Sequence, residues 1–199
     1  MNLKNLLFAS VIVLSANASF AQDTKIATHL VTINIPEVAL LDLEFTGPAT
    51  STAITLAGTA PTEAGSPMTF EDLKAKNSAI WMNYSSIVKG AASSRKVTVA
   101  VTSGSVPTGL KLTVLASAAS SDGKGALGAA STALTLSGTG QDIVTGIGST
   151  YTGDGPSKGH NLTYQLGYNT DAATDYANLR NVDLVGVPLT ITYTLSDNL

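Results

Sequence analysis

Lys96-Val97-Thr98-Val99-Ala100-Val101-Thr102 alternates three valines with small or polar residues. In an extended chain successive side chains leave opposite faces, so Val97, Val99 and Val101 share one face and are predicted to be buried. The same period-two pattern spreads outward from this stretch. Downstream, Val106-Pro107-Thr108-Gly109 reads as a turn and Leu110 to Leu115 as a strand, which predicts an antiparallel pair with 96–102. Leu162 to Tyr168 alternates again, and Val187 to Leu195 places Leu189, Ile191, Tyr193 and Leu195 on one face. Ala133 to Leu136 and Asp142 to Val144 read as short strands. Upstream, Leu30 to Ile35 predicts a first strand, interrupted by Pro36, and Val38 to Phe45 resumes it. Thr52 to Leu56 and Ser78 to Tyr84 complete the set. Phe70 to Ala75 suits a single helical turn, while 57–68, 151–159 and 169–185 read as links and 117–132 as an exposed loop or a weak hairpin. About nine strands with one polar face each, and no sustained helical period, predict an all-β domain: a two-layer antiparallel β-sandwich.

Composition agrees and removes several classes of function. Of 199 residues only 13% are charged and 6% aromatic, and the formal net charge is −3. That balance gives no electrostatic footprint for nucleic acid. The chain has no cysteine, which excludes disulfides, a thiol nucleophile and thiolate metal ligation. A chain of this length can form one sizeable core without such staples.

The first residues predict export. Lys4 supplies a short positive region, Leu6 to Leu14 an apolar run, and Ser19-Phe20-Ala21 small residues at the cleavage-determining positions. The apolar run is shorter than the roughly 20 residues of a membrane-spanning helix. The expected organisation is a signal peptide over 1–21 and a single β-sandwich domain over 22–199. The expected location after signal removal is secreted, at the cell surface or in the periplasm, with no membrane span and no lipid anchor.

Candidate catalytic groups lack their required context. His29 and His160 are the only histidines. Gly155-Pro156-Ser157-Lys158-Gly159 has the Gly-x-Ser-x-Gly spacing, but a nucleophile elbow needs a strand leading in and a helix leading out, and here a strand follows. Ser157 reads better as a turn residue, and His160, at a loop–strand junction, as a surface histidine. Asp42 and Glu44 share the face opposite Leu41 and Leu43, which is the solvated side of an amphipathic strand. Asp122-Gly123-Lys124, Asp154-Gly155-Pro156 and Asn169-Thr170-Asp171 offer loop oxygens, but none repeats the twelve-residue calcium loop. Gly123-Lys124-Gly125-Ala126-Leu127-Gly128 has the spacing of a dinucleotide fingerprint without the strand and helix that give it meaning. No catalytic residue, metal or cofactor is expected. Arg95-Lys96 is the only basic doublet and opens a strand.

Leu189-Thr190-Ile191-Thr192-Tyr193-Thr194-Leu195-Ser196-Asp197 resembles the final strand of bacterial exported Ig-like sandwiches of the fimbrial-subunit, spore-coat-U and WxL kinds. Arg95 to Val114, read as strand, turn and strand, is similar to the same subunits, and the overall style resembles small exported proteins of the Bacteroidota. The resemblance implies an Ig-like sandwich that is a non-enzymatic structural or interaction protein: a surface, matrix or fibre subunit. The expected partners are further copies of the chain or other surface proteins. An N-terminal strand set apart by Pro36 could pair with a neighbour's sheet edge, with Val31, Ile33 and Ile35 as the contact residues. In the alternative, the chain is a secreted carbohydrate-binding module. Tyr164 and Tyr168 share one face of a strand: they either close the edge of the sandwich core with their hydroxyls reaching water, or stack sugar rings, with glycans as partners.

Overall fold

The computed structural model describes residues 25, 26, 28–47, 53–181 and 188–198. The predicted signal peptide and cleavage position lie outside them. By its internal contacts the chain divides into two units, 1–34 and 35–199. In the first, the described residues form neither helix nor strand and are exposed.

The second unit is all-β and antiparallel. Its strands among the described residues are β1 (Val38–Phe45), β2 (Lys76–Ile87), β3 (Arg95–Ser103), β4 (Leu110–Ala116), β5 (Lys124–Ala130), β6 (Leu134–Thr135), β7 (Gln141–Tyr151), β8 (His160–Tyr168) and β9 (Thr190–Asp197). One four-residue helix, α1 (Ala172–Asp175), follows β8. Asp171 caps it by accepting the Thr174 N–H at 2.7 Å. Hydrogen bonding runs β6-β4-β8-β2-β7-β3-β9, with β1 attached to β2 and β5 to β7. Along one edge β2 pairs first with β8, then with β7 at Ser85 and Ser86. Along one edge β7 pairs with β3 and then with β2, so the path turns where these two long strands meet.

The valine stretch lies at the centre. Val97 and Val99 are fully buried, and each is flanked by β7 on one side and β9 on the other. They pack with Ile80, Met82 and Tyr84 of β2, Leu112 and Val114 of β4, Ile143, Val144 and Ile147 of β7, and Leu162 and Tyr164 of β8. Leu41, Leu43 and Phe45 of β1 and Ile191, Tyr193 and Leu195 of β9 form a half-buried rim around that core.

The structure corrects four sequence expectations. The first strand begins at Val38, and residues 28–37 lie in no strand. Pro36 has no N–H to give a ladder, so regular pairing starts beyond it. β3 and β4 do not pair with each other, because both edges of β3 are occupied by β7 and β9. Residues 104–109 therefore cross over rather than form a hairpin. Residues 53–58 are not a strand, although Ile54 and Leu56 still pack against the core. Finally, the Gly/Ala-rich segment 124–130 is a strand paired with β7. Its glycines permit close approach: a Cβ on Gly125 (φ 93°) would lie 2.3 Å from the Ser149 carbonyl oxygen. The segment lacks hydrophobic alternation because its contacts are made by backbone.

Candidate functional site

Residues 28–35 combine a strand-like sequence with exposure. Leu30 is fully exposed, and Val31, Ile33 and Ile35 are 69%, 80% and 71% exposed. Burying one such side chain is worth roughly 1.5–3 kcal/mol. A contiguous row of exposed aliphatics rimmed by polar residues marks an interaction surface. Thr32 and Asn34 separate the three β-branched residues, so in an extended conformation Val31, Ile33 and Ile35 point the same way.

The chain that follows is anchored by Arg95. Its side chain is buried, and every guanidinium nitrogen has a partner. Nε donates to Asp197 at 3.0 Å, and Nη2 donates to Glu37. Nη1 donates to the Val38 carbonyl at 2.5 Å, Ser86 Oγ at 3.0 Å and the Ile87 carbonyl at 3.2 Å. One side chain thus ties the start of β1, the end of β2 and the end of β9. Glu37 is fixed two residues after the last exposed isoleucine. Arg95 was marked in the sequence only as part of a basic doublet. The available signal was parity: Arg95 occupies the same alternation as Val97 and Val99, so it must point inward.

His160 is fully buried for the same reason, since it shares parity with Leu162 and Tyr164. Its Nδ1 donates to the Ser117 carbonyl at 2.8 Å, and Nε2 lies 2.7 Å from the Tyr84 hydroxyl. The Tyr84 hydroxyl also lies against the Leu127 carbonyl, and the Tyr84 ring stacks on the imidazole. Both ring nitrogens are therefore engaged by structural partners. Ser157 sits in an exposed turn at φ 69°, followed by β8 and not by a helix. Burial lowers the His160 pKa below its ordinary value, against the opposing effect of the Ser117 carbonyl, and burial raises that of Tyr84. As pH falls through about 6.5, the unfolded imidazole takes its proton first. Stability is thus fully present above that value and is lost as pH falls toward the folded pKa. The melting temperature is expected to fall between about pH 7.5 and about pH 5, and to fall less in His160→Gln. Asp72, held low by the Thr59 hydroxyl, and Asp171, held low by the Thr174 N–H, act in a more acidic window.

The tyrosines proposed for sugar stacking are used by the core. Tyr164 is 2% exposed and its hydroxyl lies 2.6 Å from that of Tyr193. Tyr168 is half-buried, meets Phe70 at a right angle and donates to the Met68 carbonyl at 2.8 Å. They share a face as the spacing required, but that face is turned inward, so they make no exposed row. Asp42 is exposed and accepts the Leu43 N–H, and Lys158 pairs with Asp122 at 2.8 Å. Among the described residues no three His, Asp or Glu side chains converge as metal ligands, and no helix is long and apolar enough to cross a membrane. No protein-family model, no curated protein and no solved structure matches this chain.

Proposed function

We propose that this chain is an exported, non-enzymatic structural subunit, an Ig-like β-sandwich that assembles with its own kind through residues 28–35. The observation that carries the proposal is the exposure of Val31, Ile33 and Ile35 on a segment that belongs to no strand. Three further features support it. The N-terminal pattern around Lys4, Leu6 to Leu14 and Ser19-Phe20-Ala21 favours export to the cell surface, periplasm or medium. The interior polar groups Arg95, His160 and Tyr84 are engaged in structural hydrogen bonds. The final strand resembles those of exported fimbrial-type subunits. A segment of alternating apolar residues adds to a neighbouring sheet by main-chain hydrogen bonds, with its side chains filling pockets.

Light scattering and electron microscopy of the exported chain test this. The wild type is expected to form concentration-dependent oligomers or fibres. Val31→Asp/Ile33→Asp is expected to remain monomeric with an unchanged melting temperature, because those residues lie outside the core. A wild type that stays monomeric at high concentration, or a double variant that assembles equally well, would overturn the proposal.

A further inference from the structure

Resting on that proposal, we infer that the acceptor for residues 28–35 is the outer edge of β9 in a second copy of the chain. β9 pairs through one edge with β3; no described strand is hydrogen-bonded along the other, which the start of β1 approaches only near Leu195 to Asp197. Sheets normally blunt their edges with charge, proline, bulges or short length. The other edge strands among the described residues do so. β6 has two residues, β5 is kinked by positive-φ glycines at 125 and 128, and β1 carries Asp42 and Glu44. Up to Asp197, whose carboxylate pairs with Arg95, the run Thr190-Ile191-Thr192-Tyr193-Thr194-Leu195-Ser196 has no charge, no proline and no glycine. It is the edge that pairs most readily with an added strand.

The side chains on both strands fit that role. Ile191, Tyr193 and Leu195 point toward the core yet stay half-buried, so the rim of the core along β9 is incompletely covered. A strand laid on this edge would bring Val31, Ile33 and Ile35 beside them on the inner face. Thr32 and Asn34 would then lie beside the exposed Thr192 and Thr194 on the outer face. Donor and acceptor are both eight residues long, and residues 28–35 contain no Asp, Glu, Lys or Arg to oppose the approach. The contact is head-to-tail, because each copy offers one segment and one edge. Such a contact extends into an open chain unless its rotation closes a ring, of which reciprocal exchange between two copies is the smallest.

The absence of cysteine makes the test direct, since any disulfide comes from an engineered pair. Full exported chains carrying Thr32→Cys are mixed with mass-tagged chains carrying Thr192→Cys or Thr194→Cys on β9, Asp42→Cys on β1, or Ala126→Cys on β5. All five positions are exposed, so folding is preserved. A disulfide requires Cα atoms within about 7 Å, and the mixed dimer is expected to form with the β9 partners about tenfold more than with β1 or β5. Adding Ile33→Asp to the Thr32→Cys chain is expected to abolish it. Equal or preferential crosslinking to β1 or β5 would overturn the β9 assignment while leaving self-assembly intact. So would oligomers that form without any β9 crosslink. A monomeric wild type without crosslinks would remove the assembly proposal itself.

Discussion

Val99→Asp is expected to unfold the domain or bring it close to unfolding at room temperature. Val99 has no exposed surface, and its backbone neighbours are Gln141 of β7 and Tyr193 of β9. A carboxylate there has no partner and no water. The cost of burying a polar group without compensation adds to the roughly 1.5–3 kcal/mol of lost aliphatic burial. The sum is several kcal/mol against a typical domain stability of ~5–15 kcal/mol. At roughly 2–4 °C per kcal/mol for a chain of this size, the melting temperature should fall by more than about 10 °C. Thr98→Asp provides the contrast. Thr98 is half-exposed on the opposite face and sits opposite Asp142, so its cost is limited to like-charge repulsion of about 1 kcal/mol or less. Equal melting temperatures for the two variants would mean that the valine face is not the buried one.

Arg95→Met comes next in size, with an expected loss of about 2–4 kcal/mol from buried acceptors left without a donor. The guanidinium is buried, while Glu37 and Asp197 are partly solvated. Removing the arginine lets the two carboxylates rehydrate, so the penalty does not come mainly from them. It comes from the Val38 and Ile87 carbonyls and Ser86 Oγ, half-buried or buried acceptors that lose a charged donor. Arg95→Lys should recover only part of the loss, because an ammonium cannot reach acceptors on three strands from one planar fork. Lys96→Ala and Lys158→Ala remove exposed pairs with Asp142 and Asp122, and each should cost no more than about 1 kcal/mol. Urea midpoints for the four variants give the ranking directly. If Arg95→Met behaved like Lys158→Ala, the Arg95 cluster would be incidental to stability.

The two variants also mark how far the sequence reaches. Alternation around Val97, Val99 and Val101 was enough to give the all-β class, most of the strands and the buried face. A period-two pattern follows from backbone geometry alone and needs no knowledge of neighbours. Residue type pointed Arg95 and His160 to the surface, and the structure buries both, in keeping with their parity with Val97 and Leu162. Alternation placed Tyr164 and Tyr168 on one face as well. What it could not supply was which strands flank β8, and those are β2 and β4.

Pairing belongs wholly to the tertiary structure. Adjacent strands in sequence, β3 and β4, do not touch, because β7 and β9 return from more than forty residues downstream to occupy both edges of β3. Nor could local pattern identify β5, whose glycines and alanines are selected by close backbone approach to β7 rather than by burial of side chains. The N-terminal segment shows the division most plainly. Its sequence, Leu30 to Ile35, determined a strand-forming, apolar stretch ended by proline. Only the folded chain decides that this stretch lies in no strand, because every ladder among the described residues is built from residues after Pro36. Local chemistry sets what a segment can pair with, and which edges are left open depends on the long-range partners the rest of the chain has already taken.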